Sequence, residues 1–318
     1  MRNVAITGAS GYIGTQLIKR LEQEEAVESI IGISRRPPQV ASTKLRFYSH
    51  DIRAPFEDIF MENNVDAAVH LAFVVSATRD SEAARQTDID GSRNFLEACN
   101  AASVKRISFL SSYSAYGAHP DNPDIIHEME PLRPNGEFPY PSNKAEVDRM
   151  FQEYLYTNLG AYVSIIRAVV VTGPASDGGP LASFLKNPVV MTVKGHDPLW
   201  QFIHEEDLIE LIVHALKHRC KGIFNAAGDG SLSYSEMMAK IGKKCVSMPN
   251  RLASIIIALT WKLRLQSDAP GGGSMSLLKY PIVVSTDKIK NKTGFQFKYT
   301  GPEAFHAFLE SARGNVQA

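Results

Sequence analysis

The sequence predicts an α/β fold, a doubly wound parallel sheet joined to a smaller carboxyl-terminal domain. Three observations carry this expectation. Short β-rich runs alternate with longer segments of helical period through the first two-thirds of the chain. The runs are apolar nearly throughout, as strands covered on both faces by helices must be. A glycine-rich turn stands between the first run and the first helical segment.

Taken in order, residues 4–6, 29–33, 67–71, 106–110 and 163–166 read as strands, and 14–24, 79–101 and 143–159 as helices. Steady alternation implies parallel neighbours and right-handed crossovers. After about Thr172 the texture changes. Gly173-Pro174 and Asp177-Gly178-Gly179-Pro180 make a loop that continues neither element, and residues 269–274 (Ala-Pro-Gly-Gly-Gly-Ser) make a second break, read as a mobile loop or lid edge. Residues 205–217 read as a helix packing back on the first domain. The first domain is therefore expected over 1–173 plus about 202–228, and the second over about 174–201 plus 229–318.

Composition removes whole classes. The chain has 318 residues, 44% of them hydrophobic and 21% charged. A chain this long buries enough surface to fold without a disulfide or metal staple. Thirty-four basic residues balance thirty-four acidic ones with no block of like charge, which argues against a nucleic-acid partner. Cys99, Cys220 and Cys245 are odd in number, far apart and without a CxxC, so reduced thiols in a cytoplasmic setting are expected. The chain opens on an apolar strand without the charged-then-apolar start of a signal peptide. The run 252–261 is interrupted by Ser254 and Thr260 and falls short of the ~20 residues a span requires.

Thr7-Gly8-Ala9-Ser10-Gly11-Tyr12-Ile13-Gly14 follows the first strand. Gly8 permits the tight turn, Gly11 lets backbone amides approach a pyrophosphate, and Gly14 allows close helix-to-strand packing. The helix amino terminus then faces the anion, where unpaired N–H groups and the dipole favour negative charge. The first domain is thus read as a dinucleotide-binding domain. Where an NAD enzyme usually places an acid for the ribose 2′-hydroxyl, the second strand ends in Ile33-Ser34-Arg35-Arg36. Two guanidiniums suit a 2′-phosphate by charge and by forked donor geometry, so NADP is expected in preference to NAD. Asp51 and Ile52 are candidates to flank the adenine.

Ser111-Ser112-Tyr113-Ser114 closes the fourth strand-like run, and Tyr140 and Lys144 stand four apart on one helical face. A free phenol, of pKa ~10, is a poor base at neutral pH. A cation ~4 Å away at an effective dielectric of ~20 is worth up to ~4 kcal/mol, enough to lower the phenol by as much as three units. Ser112 would orient the substrate oxygen while Tyr140 exchanges its proton, and Lys144 would also hold the nicotinamide ribose.

TGASGYIG, His70-Leu71-Ala72, SSYSAYG, YPSNK, the segment from Arg167 to Gly173-Pro174, and FIHEEDL at 202–208 together resemble the extended short-chain dehydrogenase/reductases. This is the NAD(P)-dependent epimerase/dehydratase family, which includes UDP-galactose 4-epimerase. The resemblance runs to about Ala227 and returns more faintly at 284–294. It implies a Rossmann sheet with a carboxyl-terminal substrate domain and a homodimer. It also implies Ser112, Tyr140 and Lys144 as catalytic residues, with Leu71 and Ala72 beside the cofactor. Departures from the family pattern bear on the substrate. Tyr113 and Ser114 stand where 4,6-dehydratases carry Asp-Glu, which argues against dehydration. Val170 and Trp200 stand where nucleotide-sugar enzymes often carry Asn and Arg, which removes two expected diphosphate partners. Asp88 stands where relatives usually have Asn.

Weaker candidates remain. Ser114, His119 and Trp200 are candidate substrate contacts, the polar residues 119–128 otherwise reading as a surface loop. His214, His218 and Cys220 have a spacing metals use, but no second cluster completes a site, so no metal is expected. His204 with Asp207 is read as fixing a helix start and the domain junction. Arg251, Lys262 and Arg264 flank the apolar run 255–261, which fits packing inside the small domain better than a membrane-surface helix. The sequence therefore points to a hydride-transferring enzyme, either a sugar-nucleotide epimerase or an NADPH-dependent carbonyl reductase. The alternative is a non-catalytic NADP-binding sensor or scaffold; the retained Ser, Tyr and Lys favour the enzyme.

Overall fold

A computed structural model of the chain describes residues 1–75, 80–136, 139–176, 181, 185, 189–263 and 275–317. The expected loop residues 177–180, Arg264 and the break at 269–274 lie outside the described residues. One seven-stranded sheet is built from β1 (Asn3–Thr7), β2 (Ser29–Ser34), β3 (Leu45–Ser49), β4 (Ala67–His70), β5 (Arg106–Ser112), β6 (Tyr162–Ala168) and, later in the chain, β11 (Gly222–Ala226). The spatial order is β11-β6-β5-β4-β1-β2-β3, and every pair is parallel. The chain leaves β1 towards one edge, then returns to β4 and builds towards the other. That reversal opens a crevice at the carboxyl ends of β1 and β4.

Helices α1 (Tyr12–Glu22) and α5 (Glu205–Lys217) cover one face. Helices α2 (Glu57–Glu62), α3 (Ser81–Ala101) and α4 (Pro139–Thr157) cover the other. Alternate side chains of β1 serve the two cores, as the period of a strand requires. Val4 and Ile6 meet Leu17 and Leu211, while Ala5 meets Ile31, Phe95 and Phe109. β2 and β4 are buried at every position, which is why they read as unbroken apolar runs.

The remaining elements are β7 (Val170–Thr172), β8 (Val189–Val193), β9 (Leu199–Trp200), β10 (Phe202–His204), β12 (Leu232–Ser233), β13 (Lys244–Met248), α6 (Tyr234–Ile241), α7 (Asn250–Lys262), α8 (Asp287–Thr293) and α9 (Gly301–Gln317). Their strands pair two by two, β10 with β7, β12 with β9, and β13 with β8. Trp200, Phe202, Tyr234, Met237 and Phe305 form a separate core. α6 is bounded by a capping box between Ser233 and Glu236 and by Gly242 at φ +81°. Ile282, Val284, Ile289 and Phe295 pack into the first core with α5 and β11. The 205–217 helix forms as expected, whereas the fourth helix begins at Pro139 rather than Asn143. Proline at a first helical position forfeits no hydrogen bond.

Candidate active site

The glycine turn joins β1 to α1. Gly8 sits at φ +72° with its α-carbon against β4's exit, where a methyl group would lie 2.7 Å from the Ala72 nitrogen and 2.9 Å from the Leu71 carbonyl carbon. A methyl group on Gly14 would strike the Gly8 carbonyl oxygen and lie 2.9 Å from the Ala9 α-carbon. Gly11 is the amino-terminal cap of α1, has no side chain to satisfy the helix's first N–H groups, and is followed by no acid in the first turn. The donors of this end are therefore left to an anion. Leu71 and Ala72 are half-buried beside it, and Ser10 is exposed. The residues thus fit a dinucleotide pyrophosphate.

Arg35 and Arg36 are exposed at the end of β2. The carbonyls of this turn are held by side chains, Ser34 donating to the Arg36 oxygen at 2.7 Å. Asp51 accepts the Arg53 guanidinium at 2.7 Å, and that contact, more than the nearby Arg35, holds its carboxyl below the usual range. Ile52 is buried under Gly91 of α3.

Three polar side chains meet where β5 and α4 approach. Ser112 stands close enough to the Tyr140 phenol to favour its ionised form. Ser112 also caps the short 3-10 turn 113–116, accepting from the Ser114 nitrogen at 3.2 Å, and its hydroxyl lies 2.9 Å from that of Ser114. Lys144, 4% exposed, donates from Nζ to the Leu110 carbonyl at 2.6 Å. Its ammonium lies over Phe73, 3.6 Å from the ring centroid, and 5.9 Å from that of Tyr140. The Phe73 and Tyr140 rings meet edge to face with centroids 5.7 Å apart.

The electrostatics differ from the sequence expectation of an acidified phenol. Burial pushes Tyr140 up to about 12, against the lowering effect of Ser112. Lys144 cannot reverse this in the protein alone. Its cation is spent on a carbonyl and an aromatic face, and burial pulls it down to about 7 despite Asp88 and Asp148. Desolvation penalises both charged forms and outweighs their attraction. Asp88, which burial pushes up to about 6, accepts the Val74 nitrogen at 2.8 Å and the Asn143 side chain at 2.9 Å. Asp88 is a buried carboxylate of α3 whose donor Asn143 directly precedes Lys144 on α4, and only the assembled packing of α3 on α4 reveals the pairing. His70 is wholly buried between Thr7 at 2.7 Å and Ser92 at 2.9 Å, and burial lowers it to about 3, so it is a neutral strut.

The candidate substrate contacts fall in different settings. Ser114 is half-buried beside Ser112. The His119 ring nitrogen Nε2 lies 2.6 Å from the Arg133 carbonyl, clamping its own connection. Trp200 is 8% exposed in the small core near Tyr234, so its surface is spent on packing. At the junction, Tyr12 of the turn donates to Glu205, whose other carboxylate oxygen accepts the Ala175 nitrogen at 3.0 Å. His204 caps α5 by accepting from the Glu206 nitrogen, and Asp207 accepts the Lys298 and Tyr299 nitrogens at 2.9 and 3.0 Å. The Nε2 of His214 lies 3.1 Å from the Thr293 carbonyl. No cluster of three metal-ligating side chains occurs among the described residues.

A parallel sheet with a glycine turn at its switch point, and Ser112, Tyr140 and Lys144 gathered where β5 meets α4, is the architecture of nicotinamide-dinucleotide oxidoreductases. The chain belongs to the NAD dependent epimerase/dehydratase family, which matches residues 4–227. It is similar to an uncharacterized protein of Mycobacterium tuberculosis, 26% identical over 314 residues, covering 96% of this chain and 83% of that one. It is also similar to the UDP-glucose 4-epimerase of Lactobacillus helveticus, 26% identical over 272 residues, covering 75% of this chain and 81% of that one. The crystal structure of Thermus thermophilus UDP-glucose 4-epimerase in complex with NAD has the same fold, with a TM-score of 0.75 at 21% identity, over 98% of this chain and 99% of that one.

Proposed function

We propose that this chain moves hydride at a secondary alcohol or ketone carbon of a sugar-like substrate, as a sugar-nucleotide epimerase or a related NADPH-dependent carbonyl reductase. The observation that carries this reading is the gathering of Ser112, Tyr140 and buried Lys144 where β5 meets α4, with Phe73 bridging the Tyr140 ring and the Lys144 ammonium. Gly8, Ser10, Gly11, Tyr12, Ile13 and Gly14 would hold the dinucleotide pyrophosphate, Asp51 and Ile52 its adenine, and Leu71 and Ala72 its path along β4. The bound nicotinamide supplies the hydride acceptor or donor. The chain's own residues handle the proton. A phenol held above its ordinary pKa keeps its proton at neutral pH, the state needed to protonate a carbonyl oxygen. Ser112 orients that oxygen. Lys144 would hold the nicotinamide ribose, and its charge, balanced by Asp88, rises and falls near neutrality.

NADP is the proposed cofactor form, supported by the two exposed guanidiniums after β2 and the absence of a carboxylate at 34–36. The proposed state is a cytoplasmic homodimer; the three cysteines are free thiols, and no helix among the described residues is long and apolar enough to cross a membrane. Tyr140→Phe should leave nucleotide binding intact and lower turnover at least a hundredfold, in assays of UDP-hexose epimerisation and NADPH-linked carbonyl reduction. Unchanged turnover overturns the assignment. Arg35→Ala with Arg36→Ala should weaken NADPH far more than NADH in a fluorescence titration, and equal losses would mark the arginines as bystanders.

A further inference from the structure

We propose that α7 is a docking element for an anionic lipid surface. Its buried side is short: Ala253 and Ile257 pack with Val193 and Met275. Its outer side is apolar and open. Leu252 is 48% exposed, Ile255 63%, Leu259 52% and the following Leu263 57%. Steps of three, four and four residues set these side chains in one stripe along the helix. Arg251 and Lys262, eleven residues apart in sequence, fall about three turns apart and so share one flank of that stripe. Both are exposed.

The segment that carries the stripe has charge of one sign. Residues 237–263 contain Lys240, Lys243, Lys244, Arg251 and Lys262 and no Asp or Glu, in a chain whose total charge is balanced. None of these five cations forms an ion pair with a described residue. The helix's hydroxyls make no demand on a partner. Ser254 donates to the Asn250 carbonyl at 3.0 Å, and Thr260 to the Ile256 carbonyl at 2.8 Å. An apolar ridge bordered by long basic side chains is the form that lies in a bilayer interface. The ridge enters the acyl boundary, and the cations reach the headgroups.

Charge decides against a second copy as the occupant. A two-fold contact through this stripe would set the Arg251 and Lys262 flank of one copy against the same flank of the other, with no acid in the segment to separate them. The helix, at 13 residues, lies on the surface and does not cross it.

The test uses the full chain and sedimentation with vesicles. Binding to phosphatidylcholine vesicles containing phosphatidylserine should exceed binding to phosphatidylcholine alone by about tenfold or more, and should fall as salt rises from 0.1 to 0.5 M, as screening requires. Ile255→Asp with Leu259→Asp should abolish it. Arg251→Gln with Lys262→Gln, both at exposed positions, should reduce it about tenfold while leaving the melting temperature and turnover unchanged. The second pair keeps the test decisive if the first fails to fold. Equal binding to the two vesicle types, or none, overturns the proposal. So does a dimer that the Asp substitutions turn into monomer, which would assign the stripe to a contact between copies.

Discussion

At the scale of single residues, Asp88 sets the charge of the site. Burial raises its carboxyl from an ordinary 3.8 to about 6, so the folded chain holds this proton more tightly than the unfolded one. The associated penalty is absent below about pH 4, grows as pH rises, and is complete above about 6. A shift of about two units corresponds to ~3 kcal/mol at most. Asp88→Asn should therefore gain stability at neutral pH and flatten the fall in stability between pH 4 and 6. The gain is partly offset because Lys144 loses a carboxylate that favours its charged form. Urea unfolding across this range checks the sign, and an unchanged slope contradicts it. Ser112, Tyr140 and Lys144 were marked as candidates by their order after the glycine turn and by the spacing of the last two, and the fold gathers them where β5 meets α4. Asp88 with Asn143, and Phe73 over Lys144, were not, because those contacts join α3, α4 and the exit of β4 across gaps that no local pattern spans.

Among the elements, the β1–α1 unit is the most tightly specified. A methyl group at Gly14 would meet only backbone, the Gly8 carbonyl and Ala9, which cannot give way without moving the turn. At Gly11 the closest atom would be the Gly8 oxygen, at 3.2 Å. Gly14→Ala should thus cost ~1–3 kcal/mol and weaken dinucleotide binding, while Gly11→Ala stays milder in stability. Thermal melting and nucleotide titration of the two variants give the order, and the reverse order would refute it. The β1, β2, β4, β5 and β6 strands were readable because both faces are covered and apolar runs result. β3 was not, since the edge strand Leu45–Ser49 mixes half-buried and exposed positions, nor was β11, whose Asn225 is buried to serve hydrogen bonds.

For the molecule as a whole, one buried polar chain runs between the sheet and the carboxyl-terminal part. Asp148 of α4 accepts Arg167 of β6 at 2.8 and 3.0 Å and Ser111 at 2.5 Å. Arg167 also donates to the Tyr116 hydroxyl at 2.8 Å and the Glu128 carbonyl at 3.0 Å. Tyr116 then donates to Asn225 at 2.8 Å, Asn225 to the Ile126 carbonyl at 3.1 Å, and the Ile126 nitrogen to the Val283 carbonyl at 2.7 Å. Arg167→Met strands a buried carboxylate and should cost ~3–5 kcal/mol, and adding Asp148→Leu should recover much of that loss. Denaturant unfolding of the single and double variants reads the recovery; a double variant as weak as the single would show that the ion pair itself supplies the stability.

The Tyr12–Glu205 contact ties the phosphate turn to the corner where β10 enters α5, and Glu205 holds Ala175 as well. Both ends of the stretch from 176 to 199 are thereby held, one at the nucleotide half through Glu205 and the other at β12 through its pairing with β9. A shift of the corner that opens α5 would consequently be felt at the glycine turn through a single side-chain contact, without passing through the sheet between them.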